Sequence, residues 1–313
     1  MRVAGDAPRA ARMQSRIGPT YVGPKGLFQP VADVVKVLQK EDIVPRDADR
    51  TLFNSAPLIA AALAMAVAAV VPFSPTVVAA DLDIGVLWIL AVGGLMVLPT
   101  FAAGWGSNNK FALLGAMRAI AQSVSYEVPL VLAALVPVIL TGSMKVSEIV
   151  AFQQNHHWLI VWPFFLGVPA FVLFMLAMLA ESNRIPFDIP EAESELVAGI
   201  TTEYTGMKFG LFYMAEYANM MIVAAVASAF FLGGHYLLPL GLQRYIPESW
   251  GILARPNAIW LIGKMAAILF TFIWVRGTIP RYRYDQLMHV GWKWLIPVSL
   301  VNLALAALIR YIA

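Results

Sequence analysis

Seven stretches of this chain are apolar over roughly 17 to 25 residues, the length at which an α-helix crosses the hydrocarbon core of a bilayer. They run over about 55–73, 85–104, 122–141, 159–180, 211–232, 258–275 and 292–309. Within a bilayer every backbone N–H and C=O must find a partner inside the protein, so segments of this length read as helices. Pro129 and Pro137 interrupt the third stretch and Glu127 sits within it. Proline is tolerated where neighbouring helices satisfy the carbonyls it frees. Composition agrees: 60% of the 313 residues are hydrophobic and 13% charged, and the mean hydropathy is +0.72. Fifteen of the charged residues fall in the first 54 positions, and long stretches after that carry none. The predicted fold is an all-α, polytopic transmembrane helical bundle with seven spans and long cytoplasmic loops. A soluble enzyme is excluded.

The chain has no cysteine, which removes disulfides, thiolate zinc sites, iron–sulfur clusters and cysteine nucleophiles together. Its histidines are His156, His157, His235 and His289, and none lies inside an apolar run. A bis-histidine haem held between membrane helices has no candidate ligands, so no metal or redox centre is expected. The basic excess, +3 in net charge, is explained by membrane topology rather than by nucleic acid.

Orientation follows from lysine and arginine in the connections. Nine lie in residues 1–54, and two, two and three in 105–121, 181–210 and 276–291. The intervening connections, 74–84, 142–158 and 233–257, carry none, one and two, and the C-terminus one. The imbalance places the N-terminus in the cytoplasm and the C-terminus on the outer, periplasmic side. The chain then divides into a cytoplasmic N-terminal segment, 1–54, and a membrane domain, 55–313, whose acidic cytoplasmic loop is 181–210. Residues 1–12 lack the apolar core of a signal peptide. The stretch Val31 to Leu38, with Lys36 and Lys40 beside it, suits a helix lying in the interface. No internal repeat is visible, so an inverted-repeat transporter is not supported.

The most informative region is 180–217, AESNRIPFDIPEAESELVAGITTEYTGMKFGLFYMAEY. Six carboxylates (Glu181, Asp188, Glu191, Glu193, Glu195 and Glu203) stand against two bases, Arg184 and Lys208, on the face where basic residues normally prevail. Apolar residues are interleaved with them, unlike a solvated loop. Glu191 and Glu195 share a face if their segment is helical, and in a partly dry cavity such crowding couples the two titrations. Glu127 and Glu216 lie inside spans and Glu181 closes one, all toward the cytoplasmic end. An acid in a membrane helix costs about 2.5–3.5 kcal/mol and marks a pathway. The three acids at similar depth predict one hydrated acidic cavity suited to proton relay.

Lys264 enters its span from the opposite side, either to snorkel or to pair with an acid. Arg276, Arg281 and Arg283 follow the same span, either as a topological anchor or as a site for a polar head or a partner's acids. Trp88, Trp105, Trp158 and Trp292, at span ends, suit interfacial anchoring.

The sequence resembles the H subunit of NADH–quinone oxidoreductase, respiratory complex I, whose mitochondrial counterpart is called subunit 1. The matching stretches are RIGPTYVGPKGLFQPVADVVKVLQKED (16–42), GWGSNNKFALLGAMRAIAQSVSYEV (104–128), AESNRIPFDIPEAESELVAG (180–199), EYTGMKFGLFYMAEY (203–217) and RYRYDQLMHVGWK (281–293). The resemblance implies a non-redox membrane subunit of a proton-pumping translocase that docks the hydrophilic arm to the membrane arm. It also implies a ubiquinone chamber whose entrance this subunit forms. Partner subunits would carry the quinone-head site, NADH, FMN and the iron–sulfur clusters; ubiquinone would be the substrate, and antiporter-like subunits would pump protons. The resemblance further implies a bacterial inner membrane location.

Carried over by position, the family's chamber residues fall on Arg16, Asp33, Lys36, Arg276 and Arg281. Its carboxylate path falls on Glu127, Glu181, Asp188, Glu191, Glu193, Glu195, Glu203 and Glu216. The family normally opens with one further helix ending in glutamate–arginine–lysine; here those positions are Asp6, Ala7 and Pro8. Seven spans are therefore expected where the family has eight, with one wall of the quinone entrance absent from this sequence. Three other readings share some of these features. They are the membrane anchor of an energy-converting hydrogenase, a free-standing proton-coupled transporter using Glu127 and Glu216, and a fragment that does not assemble. The full 180–217 stretch fits the quinone branch best.

Overall fold

A computed structural model describes residues 22–161, 166–190, 196–237 and 255–312. Every regular element among them is helical. A short helix α1 (Gln29–Gln39) is followed by α2 (Arg50–Ala68), α3 (Gly85–Gly94), α4 (Val97–Gly106), α5 (Lys110–Thr141) and α6 (Val146–Asn155). Then come α7 (Gly167–Glu181), α8 (Gly206–Phe231), α9 (Ala258–Thr278), α10 (Tyr284–Val290) and α11 (Ile296–Ile312). Six helical stretches among the described residues are long and apolar enough to span a membrane, α3 with α4 and α10 with α11 each counting as one. The seventh predicted span, 159–180, appears as the shorter apolar helix α7, residues 162–165 lying outside the described part.

Local chemistry sets the helix ends. The Asp49 carboxylate accepts from the N–H groups of Thr51 and Leu52 at 2.9 and 3.3 Å, and so caps α2. Asn109 does the same for α5 through the Phe111 N–H at 2.8 Å. Helix α5 runs unbroken through Pro129 and Pro137, and it begins well before the predicted start at 122. Its first turns are too polar to read as membrane, yet they belong to the same rod. The last span likewise starts at Tyr284 rather than 292, joined by a π-helical turn at Gly291–Leu295. The amphipathic α6 lies in what the sequence presents as a plain connection.

Helix α5 is central, with α4, α7 and α11 packed around it, while α2 packs on α4 and α8, and α1 lies on α8. Small residues make the close crossings: a Cβ at Gly104 would lie 2.3 Å from that of Ala116, so α4 and α5 meet nearly backbone to backbone. The tail of α10 is pinned to α5, where the Tyr126 hydroxyl donates to the Leu287 carbonyl at 2.9 Å. Trp292 Nε1 donates to Ser125 Oγ at 3.1 Å.

Among the described residues Lys264 meets backbone carbonyls rather than an acid. Its ammonium donates to the carbonyls of Leu232, Gly234 and Tyr236 at 2.5, 3.0 and 2.5 Å, and lies 4.9 Å over the Trp158 ring. Those carbonyls belong to the chain leaving α8, where a helix has unsatisfied acceptors and a negative dipole end. A lysine on the neighbouring helix supplies the missing donors.

Candidate functional site

The carboxylates of Glu127, Glu181 and Glu216 line one cavity of about 130 Å³. They arrive on three helices: Glu127 in the middle of α5, Glu181 as the last residue of α7 and Glu216 about three turns into α8. Helix α7 stops there because Asn183 takes a left-handed conformation, φ 49°, which asparagine tolerates better than most residues. Ser182, Asn183, Thr201 and Asn219 add hydrogen-bonding groups to the wall. Opposite Glu127 and Glu181 stand Gly93 and Gly94, at the two-residue break between α3 and α4.

The loop after α7 is anchored from inside. Gln122, fully buried on α5, donates through its amide to the carbonyls of Ala180 and Phe187, each at 2.7 Å. Between those two points Arg184 turns inward. Its guanidinium lies 3.2 Å from Glu216 and 4.4 Å over the Tyr217 ring. Sequence reasoning assigned no site role to Arg184, Gln122 or Asn219. Arg184 had one available signal, as a single base inside an acidic run.

The remaining candidates fall elsewhere. Asp188 pairs with Arg281 at 3.3 Å, so one of the late arginines meets an acid of this same chain. Arg283 pairs locally with Asp285. Glu203 accepts from the Asn109 amide at 2.5 Å and does not line the cavity. Asp33 lines an apolar groove of about 290 Å³ between α1 and α8, where Val34, Val37, Met207 and Tyr213 also contribute. Lys36 is on the same helix and exposed; Arg276 is half-buried in the last turn of α9. Neither lines that groove. Arg16, Glu191, Glu193 and Glu195 lie outside the described residues, and so does the expected pairing of Glu191 with Glu195. Among the described residues there is no cluster of three or more His, Asp or Glu suited to a metal ion.

Outside the spans, His235 is buried (5% exposed), and burial lowers its pKa to about 4. Burial also raises that of Tyr204, whose ring stacks on Phe53 with centroids 4.1 Å apart and whose hydroxyl donates to the Phe53 carbonyl at 3.1 Å.

The fold and the cavity define an all-helical, multi-pass membrane protein with three acids gathered at one cavity. The family model described as NADH dehydrogenase matches residues 8–307. The H subunit of NADH-quinone oxidoreductase from Rickettsia bellii is 48% identical over 288 residues, covering 92% of this chain and 82% of that protein. Its namesakes from Rickettsia prowazekii and Dehalococcoides mccartyi are 46% and 49% identical. They cover 96% and 95% of this chain, and 85% and 78% of their own lengths. The chain belongs to this family, that of the H subunit of NADH-quinone oxidoreductase, a membrane subunit of complex I.

Proposed function

We propose that this chain forms the entrance and part of the wall of a ubiquinone chamber in a proton-pumping NADH–quinone oxidoreductase, and couples quinone reduction to proton translocation. Its part is conformational and electrostatic. Electron carriers (NADH, FMN and iron–sulfur clusters) sit on partner subunits, which the cytoplasmic segments of this chain dock to the membrane arm. The 1–54 segment and the loop 181–210 face the cytoplasm, and the C-terminus faces the periplasm of a bacterial inner membrane.

The observation that carries this reading is the single cavity shared by Glu127, Glu181 and Glu216. Carboxylates drawn from three helices to the wall of one cavity are placed to pass protons among themselves, and crowded acids of this kind titrate together. Arg184 beside Glu216 gives the group a fixed counter-charge. A change of charge in the quinone chamber then shifts the protonation of the cluster. From there Asp188, Glu203 and the acids at 191, 193 and 195 extend the path along the cytoplasmic side. The groove between α1 and α8 supports the chamber reading: its apolar lining suits an isoprenoid tail, and Asp33 stands at its edge. Arg16, Lys36, Arg276 and Arg281 complete the assigned quinone-facing set.

The test is Glu216→Gln in the assembled complex. Proton pumping or quinone reduction falls while assembly and NADH oxidation by an artificial acceptor persist. Full activity and full pumping in that variant would remove Glu216 from the path.

A further inference from the structure

The cavity wall opposite Glu127 is a helix end. Helix α3 stops at Gly94 and α4 begins at Val97. Across the gap the N–H groups of Met96 and Leu98 donate three residues back, to Gly93 and Leu95. Pro99, with no N–H of its own, helps keep the break in place.

A Cβ placed on Gly94 would lie 2.1 Å from Oε1 of Glu127, 3.0 Å from its Cδ and 3.4 Å from Oε2. The space a side chain would take at position 94 is therefore filled by the carboxylate itself. Other tight glycines meet different obstacles. Gly104 meets Ala116 and the backbone of Ala112, and Gly115 meets the backbone of Gly199 at 2.9 Å. A methyl at those positions would push helices apart. At Gly94 the obstacle is the far end of a flexible side chain, so a methyl there displaces Glu127 and leaves the packing alone. The neighbouring Gly93 would place its Cβ 3.8 Å from Oε1 of Glu181, an ordinary contact.

We infer that Gly94 is a positioning residue for the carboxylate path: its missing side chain keeps open the seat in which Glu127 faces Glu181 and Glu216 across the cavity. This rests on the proton-path reading above. Any residue larger than glycine would turn the acid away from its partners, and misplacement by about an ångström is enough to cost a proton-transfer step dearly.

The experiment uses the purified complex in proteoliposomes, with NADH-driven quinone reduction, acidification and their pH profiles as readouts. Gly94→Ala should assemble and oxidise NADH with an artificial acceptor at the parental rate. Quinone-linked acidification should fall about tenfold, with a displaced pH profile. Added to Glu127→Gln, it should cost nothing further. Gly263→Ala, where a Cβ meets nothing within 4 Å, should match the parent. Parental rates and profile in Gly94→Ala, while Glu127→Gln is impaired, would overturn the inference; so would a full additional loss in the double variant. Loss of assembly in Gly94→Ala would overturn it as well, since packing would then be the residue's role. Parental behaviour of Glu127→Gln would bring down the proton-path reading itself, and this inference with it.

Discussion

Arg184 and Glu216 meet at 3.2 Å although 32 positions separate them, and the arginine reaches its partner from a loop while the acid is fixed on a helix. The side chains are 11% and 20% exposed, so the pair is largely withdrawn from water and neither charge is easily left alone. Arg184→Gln should strip Glu216 of its counter-charge and destabilise the complex by about 3 kcal/mol, the lower end for breaking a buried pair because some solvent reaches both groups. Arg184→Gln combined with Glu216→Gln should recover most of that loss. Thermal unfolding of the purified complex distinguishes the two; equal destabilisation in single and double variants would show that the ion pair is not what Arg184 contributes.

The ammonium of Lys264 converges on three carbonyls beyond the end of α8. Lys264→Met keeps the stem and removes the donors, and should lower stability by about 2 kcal/mol, as expected for charge-assisted bonds to buried acceptors. Lys264→Arg should not restore it, because a planar fork cannot place its donors as a compact ammonium does. Melting temperatures of the three proteins decide this.

His235 is held neutral by burial, with its pKa lowered to about 4. An unfolded histidine titrates near 6.5. Between those values the unfolded chain binds a proton that the folded chain refuses. Its contribution to stability is therefore intact above about pH 6.5 and declines by at most about 1.4 kcal/mol per pH unit as the pH falls toward 4. His235→Asn should flatten that part of the stability profile, measured by unfolding at a series of pH values.

Arg276 ends α9 on the side where Arg281 holds Asp188. Arg276→Glu should weaken quinone reduction more than reduction of an artificial acceptor, by roughly tenfold if the residue meets the quinone through a charged contact worth about 1.4 kcal/mol. Equal loss of both activities would indicate misassembly.

The spans were legible because apolar length is a one-dimensional signal. So were Glu127, Glu181 and Glu216, since an acid inside such a run stands out without any knowledge of its neighbours. What the sequence concealed were features made by distance or by polar helix ends. Arg281 and Asp188 are 93 positions apart, and nothing local marks them as a pair. The early turns of α5 and α10 carry Lys110, Arg118 and Asp285, so the hydropathy pattern cut both helices short. The break between α3 and α4 falls in GLMV, four residues as apolar as any span, and it shows only when backbone bonds are traced. Lys264 is a related case: the partners it meets among the described residues are backbone carbonyls, which every residue has and no sequence announces.

Gln122 grips the chain at Ala180 and again at Phe187, which pinches the intervening residues into a loop closed at its neck. Arg184 is at the tip of that loop, and Asp188 lies just beyond the clamp. Both contacts of Gln122 run through one amide, so the neck of the loop is held by a single buried side chain, with the ion pair of Arg184 on its inner side and that of Asp188 on its outer side.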